Sequence, residues 1–433
     1  MQKTKIIFLF FFFSFEVFSQ STYPSLKLKT RFNTYLNYKG SLSSYVQITD
    51  KDVRIYKNRQ DKLQGKVELL ISFNEITTFN CLIKNVSTDS VEAIILRKGC
   101  KTWDLAAKEK IEKLCQKEKQ LVLEKKLLSG KRIAIDPGHI AGDLKMAWIE
   151  QKYLRFLKDS IPDLPSDSVR VAEGILTFAT AQILKHQLEE QGADVLLTRK
   201  DSATSFKLTY QEWLRLKKTT TLDSLKALSF IDSTKYNQLQ SEDEKTFFWD
   251  FFRDYELAER VKTINNYKPD LTIIIHYNVD EKNKGWSKPS DNNFCMAFVP
   301  GALTSDAFKS TLGKINFLRL LLSTDFSRSE KIAGLTVKEF SKQLGVTVAQ
   351  RNDAEYLKTS CLKSSKQGVF CRNLILCRLV NSPLVYGECL YQDNKNEYFE
   401  LSKTDKNYYG VSTNSRIKCV SDAYFNAIMQ YFN

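Results

Sequence analysis

The chain has few histidines, and its cysteines lack the spacing that is typical of metal centres. Histidine occurs only three times in 433 residues, and none of the nine cysteines has a CxxC spacing. The sequence therefore disfavours a sulfur-rich zinc knuckle. Because histidines are so few, any histidine that follows a predicted strand is a candidate functional residue.

Apolar runs long enough to span a membrane are also missing. The run at residues 6–13 (IIFLFFFF) is too short for a span and is followed by Glu16. Lys3 and Lys5 precede it and VFSQS follows, which is the pattern of an export signal cleaved after Ser19. With no cysteine near that position for a lipid anchor, we expect a soluble mature protein, either periplasmic or extracellular.

Acidic residues are outnumbered by basic ones. The formal net charge is +15, and loss of a signal peptide at residues 1–19, with two lysines and one glutamate, would leave about +14. This surplus favours anionic partners. The basic residues are scattered and form no nucleic-acid-binding motif, so the sequence favours acidic wall or membrane polymers over nucleic acid.

The cysteine count is odd, which in an exported chain predicts at least one free thiol or an intermolecular bridge. Disulfides among Cys361, Cys371 and Cys377 are one interpretation. The alternative is that these cysteines are buried free thiols that pack as small hydrophobic side chains.

Residues 20–129 are predicted to form a small mixed α+β domain whose role the sequence does not indicate. Alternating apolar residues predict strands at 45–56, 66–73 and 91–96. A Lys-, Glu- and Leu-rich stretch predicts a connecting helix over 105–127.

From residue 130 to 433, apolar strands alternate with amphipathic helices. This pattern is typical of an α/β fold with a mostly parallel central sheet flanked by helices. Residues 133–136 read as a buried strand ended by Pro137-Gly138, and a helix begins near Glu173. Further strands are predicted at residues 193–199, 271–276, 294–299, 372–379 and 383–388.

Two of the histidines, His139 and His276, follow predicted strands, whereas His186 lies within a helix. The carboxyl ends of parallel strands share one edge of a sheet, where ligands and metals collect. Adding a carboxylate, either Glu150 or Glu173, would give a His₂Glu set, a known catalytic zinc arrangement. A strand-end histidine held only by a backbone hydrogen bond is the alternative.

Four motifs in order resemble those of the zinc-dependent N-acetylmuramoyl-L-alanine amidases of the Amidase_3 type. They are DPGH (136–139); a helix starting at Glu173, 25 residues before Thr198; His276-Tyr277-Asn278, with Arg260 in the preceding helix; and Pro383 to Glu388, followed by Asn394 and preceded by Arg378. Such spacings together make a chance match improbable.

The resemblance implies that His139, Glu173 and His276 bind one zinc ion and that Glu388 is the catalytic carboxylate. Asp136 is expected either to orient a ligand histidine or to cap its turn. Asn278 and Arg378 are further candidates for orienting ligands or holding substrate, although an arginine inside a strand is as often an ion-pair partner.

The sequence departs from the family pattern around the predicted cleft. Ile140-Ala141-Gly142 replaces the usual glycines, and 34 residues separate His139 from Glu173. Insertions are therefore predicted near 144–170 and 200–254, the second mostly helical, and these could cover the cleft.

The resemblance implies an exported zinc hydrolase that cleaves the amide between N-acetylmuramic acid and L-alanine in peptidoglycan, with a protein activator as a further candidate partner. The alternatives are a zinc peptidase acting on another amide and a non-catalytic protein that binds the wall.

Overall fold

The computed structural model describes residues 24–115, 126–140, 144–158, 168–200, 203–283 and 288–433. The strands are β1 (Val46–Ile48), β2 (Asp52–Ile55), β3 (Leu69–Ser72), β4 (Arg132–Pro137), β5 (Tyr153–Leu157), β6 (Ser168–Ala172), β7 (Asp194–Leu197), β8 (Leu271–Asn278), β9 (Phe294–Pro300), β10 (Thr347–Val348), β11 (Cys361–Lys363), β12 (Val369–Arg372), β13 (Leu384–Tyr391), β14 (Lys406–Tyr408) and β15 (Val411–Thr413). The export signal predicted at residues 1–19 lies outside the described residues.

The helices vary from one turn to five. They are α1 (Pro24–Arg31), α2 (Arg59–Leu63), α3 (Ile76–Asn85), α4 (Thr88–Lys98), α5 (Leu105–Cys115), α6 (Leu144–Ile149), α7 (Glu173–Glu190), α8 (Tyr210–Ala227), α9 (Ser233–Ser241), α10 (Glu244–Phe247), α11 (Arg253–Tyr267), α12 (Thr311–Leu322), α13 (Asp325–Leu344), α14 (Glu355–Thr359), α15 (Ile375–Leu379), α16 (Tyr398–Ser402) and α17 (Ser415–Phe432). No helix in the described ranges is long and apolar enough to cross a membrane.

The N-terminal segment contains a three-stranded antiparallel sheet, β1-β2-β3, packed with helices α3 to α5. The strand prediction at 91–96 is wrong, because these residues lie within α4. Val91 and Ile95 are buried one helical turn apart, and a short apolar run fits a helix as well as a strand. The connecting helix is seen as α5, and its predicted continuation falls partly outside the described residues.

The N-terminal segment shares a core with the rest of the chain. Phe32 and Phe79 belong to the same cluster of buried apolar side chains as Phe317 in α12. Phe32 and Phe317 are in edge-to-face contact, with ring centroids 5.9 Å apart. The division near residue 130 remains a prediction.

The central sheet has the strand order β11-β12-β9-β13-β8-β4-β7, with β10 paired to β9. The β4, β7, β8 and β13 pairings are parallel, as are those of β9 with β10 and β12; β9–β13 and β11–β12 are antiparallel. The predicted α/β class with a mostly parallel sheet is therefore confirmed.

Both faces of this sheet are covered, which is why its central strands are apolar throughout. On β8, Ile273 and Ile275 face the main core, which includes α7, α13 and α17. Ile274, on the opposite face, packs in a second core with α11 and α15. Because side chains alternate along a strand, His276 lies on the same face as Ile274.

Residues 372–379 were predicted as one strand, but only Arg372 belongs to β12, and Arg378 lies in the short helix α15. Leu376 and Val380 are buried one helical turn apart. Their apolar run fits either structure, so the sequence pattern alone misassigned it.

The two predicted insertions differ in structure. The described part of 144–170 contains α6 and strand β5, which pairs with β6 in a two-stranded antiparallel sheet. Residues 203–254 are helical, with α8, α9 and α10 followed by a π-helical turn at Phe248–Phe252. Both contribute to one cluster of buried side chains that includes Met146, Ile149, Trp213 and Phe252.

The described cysteines include both disulfide-bonded and free residues. Cys81 is disulfide-bonded. Cys361, Cys371 and Cys377 are free and buried. Of the two interpretations given above for these three residues, the structure therefore has buried thiols.

Candidate metal centre

Two adjacent parallel strands bring the two strand-end histidines together. Strand β4 pairs with β8 through Pro137, which lies opposite Ile275. The chain then turns through Gly138 into His139, whose φ is +59°. The rings of His139 and His276 meet edge to face, with centroids 4.9 Å apart.

Gly138 is required for this approach. A Cβ atom on Gly138 would lie 2.3 Å from Cε1 and Nε2 of the His276 ring. No side chain can be accommodated there unless the imidazole moves. The glycine of the DPGH motif therefore lets the backbone at the end of β4 lie against the His276 imidazole at the end of β8.

Glu173 begins α7 and reaches both histidines. One carboxylate oxygen lies 2.9 Å from Nδ1 of His276, and the other lies 3.3 Å from Nε2 of His139. The backbone N–H of Tyr277 and the side-chain amide of Gln392 each donate to this carboxylate at 3.2 Å. These donors fix the orientation of a side chain that is almost fully buried.

The donor atoms of His139, Glu173 and His276 all lie within 4.8 Å of one another. This group could therefore bind a metal ion. Two imidazoles and one carboxylate also match the donor set that zinc takes in catalytic sites, where a fourth position stays open.

Glu150 occupies the other side of His139. Its carboxylate lies 3.4 Å from Nδ1 of that ring and accepts the Ile140 backbone N–H at 3.0 Å. The sequence offered Glu150 only as a rival to Glu173 for the ligand position. The structure places Glu173 against both histidines and Glu150 against one, which suits a residue that orients a ligand.

Charge in the metal-free site is concentrated on His139 and Glu173. Burial lowers the pKa of His139, but the carboxylates of Glu173 and Glu150 outweigh it and raise that pKa to about 9. Burial dominates at His276 and lowers its pKa to about 4. Burial raises the pKa of Glu173, but His139 and Lys152 bring it well below its usual value.

Lys152 adds a cation to the centre from the first insertion. Its ammonium nitrogen lies 3.5 Å from a Glu173 carboxylate oxygen. Burial lowers the pKa of Lys152, but Glu173 and then Glu388 outweigh it, so the net change is upward. No sequence pattern indicated Lys152, because only the fold of the insertion brings it to the site.

Glu388 lies on β13 directly opposite His276 of β8. It is buried, and within the described part of the chain its Oε2 atom has no hydrogen-bond partner. Burial and the charge of Glu173 raise the pKa of Glu388 to about 8. A carboxyl group with an unused oxygen and a pKa near neutrality is suited to proton transfer.

Asp136 supports the DPGH turn through an arginine. Its carboxylate accepts hydrogen bonds from the Thr198 hydroxyl and from the Arg260 guanidinium, the latter at 3.3 Å. Arg260 also donates to the carbonyl oxygens of Pro137 and His139, both at 2.9 Å. Asp136 thus acts on the backbone that carries His139, through Arg260.

The other two candidate residues, Asn278 and Arg378, make their hydrogen bonds away from His139, Glu173 and His276. Asn278 ends β8 and donates to the Tyr356 hydroxyl at 2.9 Å. Arg378 donates to the side-chain oxygen of Asn373 at 2.8 Å. Asn373 itself lines the cavity at the metal centre, so Arg378 can affect that cavity only through its neighbour.

A cavity of about 390 Å³ opens onto the histidine pair. His139 and His276 line it. Phe248 and Trp249 of the π-helical turn also line it, as do Leu374 and Ile375 at the start of α15. Trp249 is tied to the first insertion by a 3.0 Å hydrogen bond from its indole N–H to the Ile149 carbonyl.

The chain belongs to the N-acetylmuramoyl-L-alanine amidase family (Amidase_3), whose profile matches residues 133–410. It is similar to the solved structure of the CwlD amidase from Clostridioides difficile in complex with the GerS lipoprotein, with 15% identity, a TM-score of 0.38 and coverage of 70% of this chain and 98% of that one. It is also similar to the catalytic domain of CwlV, N-acetylmuramoyl-L-alanine amidase from Bacillus (Paenibacillus) polymyxa var. colistinus, with 16% identity, a TM-score of 0.35 and coverage of 70% and 97%. A comparison with curated proteins finds no match.

Proposed function

We propose that this protein is an exported, zinc-dependent amidase that hydrolyses the bond between N-acetylmuramic acid and L-alanine in peptidoglycan. The observation that carries the proposal is the group of His139, Glu173 and His276 donor atoms within 4.8 Å, with Glu388 opposite His276 on the next strand. Membership of the amidase family supports the same reaction.

In this proposal His139, Glu173 and His276 hold one zinc ion. Zinc in such a set polarises a bound carbonyl and lowers the pKa of a bound water molecule to about 7. Glu150 and Glu173 contact opposite nitrogens of the His139 ring. With a metal bound, Glu150 would accept a hydrogen bond from the Nδ1–H group of His139 and so keep the imidazole in the tautomer that can bind metal.

Glu388 is proposed as the catalytic carboxylate. Its Oε2 atom would accept a proton from the attacking water and pass it to the nitrogen of the departing L-alanine. Burial raises its pKa to about 8, which favours a group that can both take up and release a proton near neutral pH.

The remaining candidate residues are proposed to position this machinery. Asp136 and Arg260 hold the turn that presents His139. Asn278 holds Tyr356 against the end of β8. Arg378 steadies Asn373 on the cavity wall.

Peptidoglycan as the partner is consistent with the charge of the chain. A net charge of +15 favours association with an anionic wall. The proposed export signal would deliver the protein to that wall. Residues 20–129 are proposed as an N-terminal domain of unknown role that precedes the catalytic domain at 130–433 and shares buried contacts with it.

Metal content and product analysis test the proposal together. Protein purified without chelator is expected to hold about one zinc per chain, and digestion of purified peptidoglycan is expected to release intact stem peptides that begin with L-alanine. Shortened peptides would identify a peptidase. Binding to peptidoglycan with neither zinc nor product would identify a non-catalytic wall protein.

A further inference from the structure

A cation that has no ion-pair partner among the described residues lies on the same face of the sheet as the metal centre. Arg372 ends β12 and is partly buried. Its guanidinium carbon lies 4.8 Å from the ring centroid of Phe298 and 4.8 Å from that of Tyr356. Within the described ranges, no carboxylate lies at ion-pair distance from this guanidinium and no acceptor takes a hydrogen bond from it.

Strand register connects Arg372 to the site. Phe370 of β12 lies opposite Phe298 of β9, which in turn lies opposite Tyr386 of β13. Alternate residues point to the same face, so Arg372 shares that face with Phe298 and Tyr386. The Tyr386 ring is stacked on His276, with centroids 4.4 Å apart. A continuous row of rings therefore runs from the metal centre to Arg372.

The distance suits a substrate that extends beyond the scissile bond. Three strand spacings separate β8 from β12, which is roughly 14 Å between strand axes. The Arg372 side chain shortens this distance, because it lies over Phe298 of β9, which is closer to β8. An extended peptide advances about 3.3 Å per residue. Groups a few residues from the bond cleaved at the centre can therefore reach the guanidinium.

The two rings hold the guanidinium but do not use its hydrogen-bonding capacity. Contact with aromatic faces compensates part of the cost of removing the cation from water. The five N–H donors of an arginine lie in one plane and match both oxygens of a carboxylate. With Phe298 and Tyr356 packed against it, Arg372 is already ordered. Its charge lowers the pKa of Glu388 against the rise that burial causes, but no carboxylate of the described residues lies at ion-pair distance from it.

We propose that Arg372 binds the α-carboxylate of the D-glutamate that follows L-alanine in the stem peptide, on the L-alanine side of the bond that is cleaved. This inference rests on the proposed function. The N-acetylated sugars of the glycan offer no such density of carboxylates, whereas the stem peptide carries them close to L-alanine. Tyr356, held by Asn278 at the end of β8, fixes the position of this site relative to the metal centre.

A matched pair of substrates tests the assignment. Muramoyl-L-alanyl-D-glutamate with a free α-carboxylate is compared with the same compound carrying an α-carboxamide, and kcat/KM is measured for each. The zinc-loaded wild-type protein is expected to prefer the carboxylate by roughly 10- to 100-fold, the range of a charge-assisted pair. Arg372→Met should bring this preference close to one, and Arg372→Lys should retain part of it.

Arg351→Met is the matched control, because Arg351 is exposed and donates only to the Lys358 carbonyl. The Arg351→Met variant should prefer the carboxylate substrate over the carboxamide by the same factor as the wild type. If Arg372→Met fails to fold, as shown by circular dichroism, the preference of Arg372→Lys decides instead.

Three outcomes would overturn the inference. Equal cleavage of both substrates by the wild type would exclude Arg372 as a carboxylate-binding residue and leave the proposed function intact. Equal losses on both substrates in Arg372→Met, with a displaced pH profile, would mean that Arg372 acts on Glu388. Cleavage of neither substrate by the zinc-loaded wild type would overturn the proposed function and this inference with it.

Discussion

The Glu150 carboxylate lies 3.4 Å from Nδ1 of His139. The same imidazole offers its other nitrogen to Glu173, at 3.3 Å. A carboxylate on the far nitrogen of a metal-binding histidine fixes the ring and its tautomer. Glu150 therefore links the first insertion to the metal centre, although it does not contact His276 in the way that Glu173 does.

Replacing Glu150 with Gln is expected to weaken zinc binding by roughly 10- to 100-fold, because a neutral amide oxygen is a weaker acceptor than a carboxylate for the hydrogen bond from Nδ1–H of His139. Competition with a chromophoric chelator measures the change. Glu109→Gln, an exposed substitution in α5, removes the same charge and should leave the affinity unaltered. Equal affinities in the wild type and Glu150→Gln would show that His139 is oriented without this carboxylate.

The grouping of His139, Glu173 and His276 follows in part from local rules. His139 and His276 follow apolar strands, and adjacent parallel strands bring their carboxyl ends together. Glu173 could be chosen over Glu150 only through the resemblance to the amidase family. The residues alone left both carboxylates open.

The surroundings of these three residues could not be anticipated, because they depend on how sequence-distant segments pack. Lys152 and Trp249 come from different insertions and meet the site only after those insertions have folded together. The same limit explains why α4 and α15 were predicted as strands. Their short apolar runs fit the periodicity of a strand and of a helix, and tertiary packing determines which one forms.

Replacing Glu388 with Gln is expected to lower kcat on peptidoglycan by about 100-fold or more, the usual contribution of a positioned acid or base. Zinc content should stay at the wild-type level, because the three proposed ligands are unchanged. Glu397→Gln in the loop before α16 removes a buried carboxylate that pairs with Arg416 and serves as a control for general damage. Retention of full activity in Glu388→Gln would exclude this residue as the proton carrier.

The same substitution should stabilise the metal-free protein at alkaline pH. The folded pKa of Glu388, about 8, lies above the ordinary value of 4.5, so the folded state holds its proton more tightly. The stability contributed by this group is therefore fully present below pH 4.5 and is lost as the pH rises through 8. Thermal unfolding with chelator should show a higher Tm for Glu388→Gln than for wild type at pH 8.5, with the gap closing near pH 4.5.

Gly138→Ala is expected to abolish tight zinc binding. The added Cβ would lie 2.3 Å from the His276 ring and would displace a proposed ligand. Overpacking of this kind typically costs about 1–3 kcal/mol in stability as well. Gly334→Ala in α13 is the control, since its Cβ would meet only the flexible Lys366 side chain at 3.2 Å. Unchanged zinc affinity in Gly138→Ala would contradict the assignment of His276 as a ligand.

Zinc affinity should increase with pH in a way that identifies His139. In the metal-free protein, the pKa of His139 is raised to about 9 despite burial, whereas that of His276 is lowered to about 4. Between pH 6 and 9, therefore, His139 must lose a proton before it can bind zinc, and His276 need not. Chelator competition should show affinity increasing by up to about tenfold per pH unit and levelling off near pH 9. Glu150→Gln removes one of the carboxylates that raise this pKa, so its plateau should begin at lower pH. An affinity independent of pH across this range would mean that His139 is already neutral in the metal-free protein.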